Sequence, residues 1–576
     1  TLYGKDDNSR IVDPTDPVRV FSWLICETRD DKGNAVVYEY KLEDGTNVDL
    51  SRVHERNRGD RNSPLRTANR YIKHVRYGNR NSLLTVEGLR PRLLSQAALQ
   101  NAGWMFEVVF DYGEHDTDEP RPNDPGEWLC RHDPFSIYRA GFEVRTYRLC
   151  QRVLMFHHFP DEPDVRSDCL VRSTDLVYRD IRNNLDDRTH GHPIASFIAT
   201  VTQNGYRRTA PAGYLKRSLP PLEFVYSDAV IGQEVHDVDP ASIENLPYGA
   251  DGSAYQWVDL DGEGLSGVLT EQGGGWFYKR NESPITRDAG TDNYAARFAP
   301  IETVSKLPPG SPLGAGGMQF LDLAGDGQVD LVDLDQPLPG FYERTADEDW
   351  EDFRAFQAIP NLTWNDPSLK FIDLTGDGHA DVLIAEDHVF TWYPSLAEEG
   401  FGEAMQSSVV TDEERGTRVV FADVTQTIHL ADLSGDGLTD IVRIRNGEVC
   451  YWPNLGYGRF GAKVTMDDAP WFDTPDQFDQ RRIRLADIDG SGVTDIIYLG
   501  PRRSRFWFNQ SGNAWSAPND LTSFPPIDNI ASVAAVDLLG NGTACLVWSS
   551  PLPGAARAPM KYLNLMAEGK PHSRWV

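Results

Sequence analysis

Cations are the scarce charge in this 576-residue chain: 56 Lys and Arg face 87 Asp and Glu, a formal net charge of −31 at pH 7. That deficit excludes electrostatic binding to nucleic acid or to an anionic membrane surface, and favours a self-repelling particle or a partner with a basic face. Long apolar runs are missing too. Even around Val153–Phe159 and Val533–Trp548 none reaches membrane-spanning length, so direct membrane insertion is not expected. The opening TLYGKDDNSR is polar and charged rather than a signal peptide, and a chain without an initiating Met reads as a fragment or processed product. Cysteine is sparse: Cys26, Cys130, Cys150, Cys169, Cys450 and Cys545 lie far apart, without CxxC or Cys/His zinc spacing. Buried free thiols are the simpler reading, with a single disulfide left open. Helical periodicity is almost absent; PRLLSQAALQNAG (91–103) is the best candidate, for a short helix or a turn.

What is present is strand pattern. VVYEYKLED at 36, YIKHVRYGN at 71, FEVVFDYGEHD at 106 and SFIATVTQNGY at 196 alternate apolar or aromatic with polar residues. That is the period of half-buried antiparallel strands. The run FEVRTYRLCQRVLMFHHF (142–159) reads as one long strand or a bent pair. His157–His158 has no acidic or histidine partner at ligand spacing, so the two are expected on opposite faces of a strand rather than on a metal. A sheet of this size with no visible edge protection must curl, pair or continue elsewhere. Residues 231–250 lose the alternation and read as a linker.

The second half repeats itself. VDLDGEGLSGVL, LDLAGDGQVDLV, IDLTGDGHADVL, ADLSGDGLTDIV, ADIDGSGVTDII and VDLLGNGTACLV carry leading aspartates Asp259, Asp322, Asp373, Asp432, Asp487 and Asp537, spaced by 50 to 63 residues. An aromatic-rich strand follows most copies, as in GWFYKRN at 275, FTWYPSL at 390 and CYWPNLGYGRFG at 450. Strand, tight Gly turn, strand and aromatic strand make about one four-stranded sheet per repeat, and such units close radially as a β-propeller. Six copies predict about six blades over 251–560, leaving 561–576 as a return segment. The fold class is all-β: antiparallel strands over 1–230, then the propeller.

Each turn has the make-up of an oxygen-ligand loop for a hard cation such as Ca²⁺. Three copies keep the full set: Asp373, Thr375, Asp377 and Asp381; Asp432, Ser434, Asp436 and Asp440; Asp487, Asp489, Ser491 and Asp495. Asp322, Asp326 and Asp330 keep three carboxylates but have Ala324 at the third position; the first copy ends in Gly267, and the last carries Leu539, Asn541 and Cys545. The competing reading is an Asx-type turn in which aspartates accept main-chain N–H groups while glycines take positive φ, with no ion required.

The DLxGDGxxD repeat resembles the FG-GAP/VCBS-type repeat of integrin-α propellers. Four longer strings narrow this: RIVDPTDPVRVFSWLICETRDDKGNAVVYEYK (10–41), DPFSIYRAGFEVRTYRLCQRVLMFHHF (133–159), WPNLGYGRFGAKVTMDDAPWFD (452–473) and YLNLMAEGKPH (562–572). Together they resemble the B component of tripartite insecticidal Tc toxins, whose N-terminal section is shared with the SpvB virulence protein. The resemblance implies that residues 1–230 are the first wall of an Rhs-type β-shell. It also implies a propeller gate that docks on the pentameric A-component channel, and a C component supplying the rest of the shell and the toxic cargo. A secreted, non-enzymatic module with no required cofactor follows from it. No YDxxGR-like run is present, so this chain is expected to hold a gate and a partial wall, unable alone to enclose a cargo. The alternative from the repeat motif alone is a Ca²⁺-dependent adhesin or lectin-like propeller. Catalysis finds no support in the motifs: there is no GxSxG, HExxH, P-loop or ADP-ribosyltransferase E-x-E constellation.

Overall fold

The computed structural model describes residues 1–566 apart from 124–125, 180–194, 210–212, 227–230, 247–254, 286–293, 305–312, 314–317, 335–336, 346–347, 386–388, 409–411, 418–420, 422–426, 525–531 and 551–559. The chain divides into two units, with the break after Tyr226.

The first unit is built on a ten-stranded antiparallel sheet. Its strands run, in spatial order, Leu2–Tyr3, Ile25–Arg29, Ala35–Leu42, Arg70–Asn79, Trp104–Asp111, Arg152–Phe159, Arg166–Tyr178, Ile198–Arg208 and Tyr214–Ser218, with Leu222–Glu223 also pairing Ile198–Arg208. The alternation read from sequence sets the faces: Val109, Leu154, Phe156 and Leu170 are buried on one side, packed by Tyr206 and Tyr214. The run 142–159 is two strands, Val144–Thr146 and Arg152–Phe159, in different sheets. His157 and His158 do lie on opposite faces. His157 packs on Phe106 and Phe159, and His158 pairs with Glu107 at 3.2 Å and Asp168 at 3.1 Å. The helical candidate yields five residues, Gln96–Gln100, capped by Ser95.

Beside the sheet, a layer of irregular chain carries buried ion pairs. Glu55 receives Arg66 and Arg145 (2.9 Å) together with the Tyr147 hydroxyl at 2.8 Å. Arg58 pairs with Glu143 at 2.8 Å, and Arg148 with Glu43. The fully buried Trp128 has Lys41 3.8 Å and Arg148 4.2 Å from its ring. All six cysteines are free thiols, four of them buried.

The second unit is a propeller of six four-stranded antiparallel sheets. Blades 1 to 5 begin with the strands Tyr255–Val258, Met318–Leu321, Leu369–Ile372, Ile428–Ala431 and Ile483–Ala486, and each takes its four strands in chain order. Blade 6 is composite. Ser532–Val536, Cys545–Ser549 and Lys561–Asn564 are joined by Val235–Asp237 from the start of the unit. Val235 pairs Leu563, His236 pairs Tyr562 and Asp237 pairs Lys561, with Ile231 bridging Met566. The expected boundaries therefore change in two places. The 231–250 segment is not a plain linker, because its first residues are the outer strand of the last blade. Lys561–Asn564 is the third strand of that blade rather than a return segment; residues 567–576 lie outside the described set. Closing the ring with the N-terminal strand protects edges that an open array would expose.

Each pair of neighbouring blades shares an apolar core. Ile441, Cys450 and Trp452 of blade 4 meet Leu383 and Trp392 of blade 3. Tyr255 and Val268 of blade 1 meet Leu538, Val547 and Tyr562 of blade 6, so the ring is continuous. Among the described residues no helix is long and apolar enough to cross a membrane.

Candidate functional site

The six Asp-Gly turns join the first and second strands of their blades and touch one another in sequence around one face. A Cβ placed on the first turn glycine of each blade would meet the next turn: on Gly262 it would lie 2.8 Å from Gly327 O, on Gly325 3.2 Å from His379 Cε1, and on Gly376 3.4 Å from Leu438 Cδ2. The same holds for Gly435 against Val493 (2.6 Å), Gly490 against Gly542 O (3.2 Å) and Gly540 against Leu265 of the first turn (3.0 Å). φ values of +65° to +79° favour glycine at all six, and at Gly262, Gly435 and Gly540 a Cβ would also come closer than 3.0 Å to a neighbouring atom.

Within each turn the leading aspartate caps main-chain N–H groups. Asp373 accepts from Gly376 (2.6 Å) and Gly378 (2.9 Å), Asp432 from Gly435 and Gly437 (2.7 Å each), and Asp487 from Gly490 and Gly492 (2.8 Å each). Asp377 and Asp436 accept the N–H of His379 and Leu438, both at 2.9 Å. Thr375 and Ser434 turn their hydroxyls to their own leading aspartates at 3.5 and 3.3 Å. The ninth-position aspartate is buried and spans two strands. Asp381 accepts from Leu374 (2.8 Å) and Ser395 (2.7 Å), Asp440 from Leu433 (3.1 Å) and Asn454 (3.0 Å), and Asp495 from Ile488 (2.9 Å) and Asn509 (2.7 Å). Asp330 does the same with Leu323 and Arg344. The turn is held by main-chain donors in every copy, as the Asx-type reading expects.

The sets expected to ligate a cation fare unequally. In the fifth turn Asp487, Asp489 and Asp495 each bring one carboxylate oxygen within 4.8 Å of the others, a spacing that fits one hard cation. Ser491 there donates its N–H to Asp487 and Asp489. The Asp373 and Asp432 sets make no such group among the described residues. The other group with that spacing, Asp111, Glu114 and His115, already holds a cation of the chain's own: Lys73 Nζ lies 2.6 Å from Glu114 and 2.7 Å from His115.

Electrostatics sharpen the contrast. Burial pushes Asp330, Asp381 and Asp487 up to about 6, against the pull of their main-chain donors. Burial raises Asp440 and Asp495 well above the carboxylate range, with neighbouring aspartates adding to it. The first turn is different. Arg344 of blade 2 reaches Asp261 at 2.7 Å, and Arg280 reaches Asp261 at 3.0 Å and Glu263 at 2.8 Å. Two guanidiniums thus supply a positive charge that, among the described residues, no ion pair brings to the fifth turn.

Sequence reasoning missed one device. In blades 1, 2, 4 and 5 the residue fourteen positions after the ninth site reaches back to the preceding turn. Asn281 donates to Leu538 O (3.0 Å), Arg344 to Asp261, Asn454 to Asp373 O (3.4 Å) and Asn509 to Leu433 O (3.0 Å). The signal was an Asn at fixed distance after an aromatic strand, in YKRN, YWPN and WFN.

The comparisons with known proteins follow the same division. Residues 1–159 match the family described as the Salmonella virulence plasmid 65kDa B protein, SpvB, and residues 487–548 match an FG-GAP-like repeat. The chain joins an SpvB domain to an FG-GAP-type propeller. Over 180 residues the SpvB domain is 38% identical to the mono(ADP-ribosyl)transferase SpvB of Salmonella typhimurium, covering 31% of this chain and 28% of that protein. Both units together match the Photorhabdus luminescens Tc holotoxin pore with a TM-score of 0.78 and 27% identity, over 100% of this chain and 25% of the Tc chain. The crystal structure of TcdB2-TccC3 matches with a TM-score of 0.67 and 27% identity, over 99% of this chain and 26% of its own. The chain thus spans about a quarter of the length of each relative. The SpvB domain and propeller have the architecture of a Tc toxin shell.

Proposed function

We propose that this chain is a non-enzymatic module of a secreted Tc-like toxin complex: part of the wall that encloses a toxic polypeptide, and the propeller that gates its exit. In this reading the propeller docks on the A-component pentameric channel, and the C component supplies the remaining shell and the cargo. The observation that carries it is the match of both units, in one alignment, to the Tc holotoxin chain over the whole of this sequence. Ring closure by the chain's own Val235–Asp237 strand supports it, since a gate must be a complete ring before it can control a passage. The transferase name belongs to relatives of which this chain matches 28%.

The test is binding of the full-length parent protein to a purified Tc A-component channel, followed against salt. Saturable binding that a propeller-only competitor displaces is the expected result; absence of binding at low salt would sink the docking role. For the turns, the reading is structural: they are the corners that fix each blade against the next. The fifth is proposed to take Ca²⁺ through Asp487, Asp489 and Asp495, where three carboxylates converge with no Lys or Arg ion pair among the described residues.

A further inference from the structure

The first strands of the six blades lead into turns that abut in a closed ring, and each is the terminal strand of its sheet. They therefore surround the propeller axis. Two residues before each leading aspartate, Trp257, Phe320, Phe371, Leu430, Leu485 and Ala535 pack into the core shared with the preceding blade. The residue directly before the aspartate turns the other way, as Ile372 does into the blade 3–4 core and Ala431 into the blade 4–5 core.

Three residues before the aspartate stand Gln256, Gln319, Lys370, His429, Arg484 and Ala534. None belongs to an apolar core, and none is acidic in a chain where acids outnumber Lys and Arg 87 to 56. On three consecutive blades the position is Lys, His and Arg. None of the three has a carboxylate partner among the described residues. Lys370 donates to Pro367 O at 3.0 Å, and His429 Nε2 is buried without a hydrogen-bond partner. Arg484 crosses to the first strand of blade 6, donating to Val533 O at 2.9 Å, and also holds Arg481 O and Ile483 O. The carbonyl contacts of Lys370 and Arg484 leave their positive charge uncompensated, whereas burial holds the His429 imidazole below its ordinary range and favours its neutral form.

We propose that this position forms an axial collar, cationic on blades 3 and 5, that binds the side-chain carboxylates of an extended acidic polypeptide segment. The proposal rests on the reading of the propeller as a passage and adds a chemical preference to it. The collar lies three residues of strand, about 10 Å, from the acidic turn ring. An extended chain of mixed charge can satisfy the two rings in turn, whereas a nucleic acid would carry a phosphate past the aspartates at every step.

The test is a titration of the full chain with fluorescein-labelled hexaglutamate, read by anisotropy at low and high salt. Saturable, salt-sensitive binding is expected, weakened at least tenfold by Lys370→Gln with Arg484→Gln. Arg484 also ties neighbouring strands together, so Lys370→Glu alone is the second variant. It sits at a partly exposed site and should abolish hexaglutamate binding while the melting temperature stays unchanged. Absence of saturable hexaglutamate binding, or binding indifferent to these substitutions in folded protein, overturns the collar. A-component binding is read separately. Its loss with hexaglutamate binding intact removes the docking role alone, and the reverse result removes the collar alone.

Discussion

In the N-terminal unit a buried carboxylate meets a guanidinium; in the propeller it meets main-chain N–H groups. Glu55 is pushed up by burial, but Arg145, Arg58 and Arg66 outweigh that and hold it well below the usual carboxylate range. Glu107, also buried, is held low by His158, His74 and Arg76. Asp381, Asp440 and Asp495 accept two or more N–H bonds each, yet burial and neighbouring aspartates leave them raised. A dipole can orient a buried carboxylate, but it does not neutralise it. The two units therefore store opposite responses to protons.

The largest expected effect follows from that sign. A carboxyl raised in the folded state contributes stability that is fully present below its unfolded pKa of about 4 and is lost as pH rises through the folded value. Going from pH 7 to pH 5, each group with a folded pKa near 6 returns about 1.4 kcal/mol, so Asp330, Asp381 and Asp487 alone return roughly 4 kcal/mol. The depressed Glu55 and Glu107 behave in reverse: their contribution is intact above about pH 4.3 and is lost only below it. Peptide-resolved hydrogen exchange on the whole chain should show propeller protection rising between pH 7 and pH 5 relative to the N-terminal sheet, where burial holds His115 and His157 below the ordinary imidazole range and their protonation costs stability. High salt, which screens general repulsion, should leave this difference in place. Parallel behaviour of the two units would break the comparison.

Next in size is Glu55→Gln. It leaves Arg66 and Arg145 buried without a counter-charge, while the amide oxygen still accepts one bond. About 3 kcal/mol of destabilisation is expected, the low end for a broken buried pair. Denaturant unfolding with an N-terminal probe checks it, and a propeller probe should not move with it.

The propeller was legible because it repeats. One DLxGDG string is ambiguous, but six at near-constant spacing force a ring, and the strands around them follow. Its closure was not legible. Val235–Asp237 is three residues with no alternation to mark them, and their partner Lys561–Asn564 lies more than three hundred residues away in sequence. In the first half the strands showed through period two, yet the Glu55–Arg66–Arg145 group did not, since its members are brought together only by tertiary folding. The same limit applied to the turns. Equal ligand sets at Asp373, Asp432 and Asp487 read alike in sequence, and only geometry separates the converging fifth from the other two. The arginines at the first turn were invisible for a like reason: Arg344 belongs to the next blade.

Two glycine substitutions sharpen the account of the turns as corners. Gly435→Ala forces a residue with a side chain to φ +79° and sets its Cβ 2.6 Å from Val493 Cγ1. Strain and overpacking together should cost about 2–3 kcal/mol. Gly378→Ala meets φ +91° with nothing within 4 Å, so about 1 kcal/mol is expected from the backbone alone. Thermal unfolding of the two variants separates contact between turns from conformation within a turn. Equal costs would mean that the turn-to-turn contact contributes nothing.

An effect set by ion occupancy concerns the fifth turn and decides whether an ion completes what the arginines complete in the first. If Ca²⁺ binds through Asp487, Asp489 and Asp495, it stabilises the fold by mass action, about 2.7 kcal/mol at a hundredfold excess over its dissociation constant, and less at weaker occupancy. The melting temperature of the propeller should then rise with Ca²⁺ at pH 7. The rise should shrink at pH 5, because burial holds Asp487 at about 6 and Asp495 higher still, and protons compete for the same oxygens. Asp489→Ala should abolish the response while keeping the turn, since Asp487 alone caps Gly490 and Gly492. Changing Asp261 to Ala in the first turn should leave the Ca²⁺ response untouched, because Arg280 and Arg344 already occupy that corner. A Ca²⁺ response that survives Asp489→Ala would place the ion elsewhere and leave the fifth turn, like the others, held by main-chain donors alone.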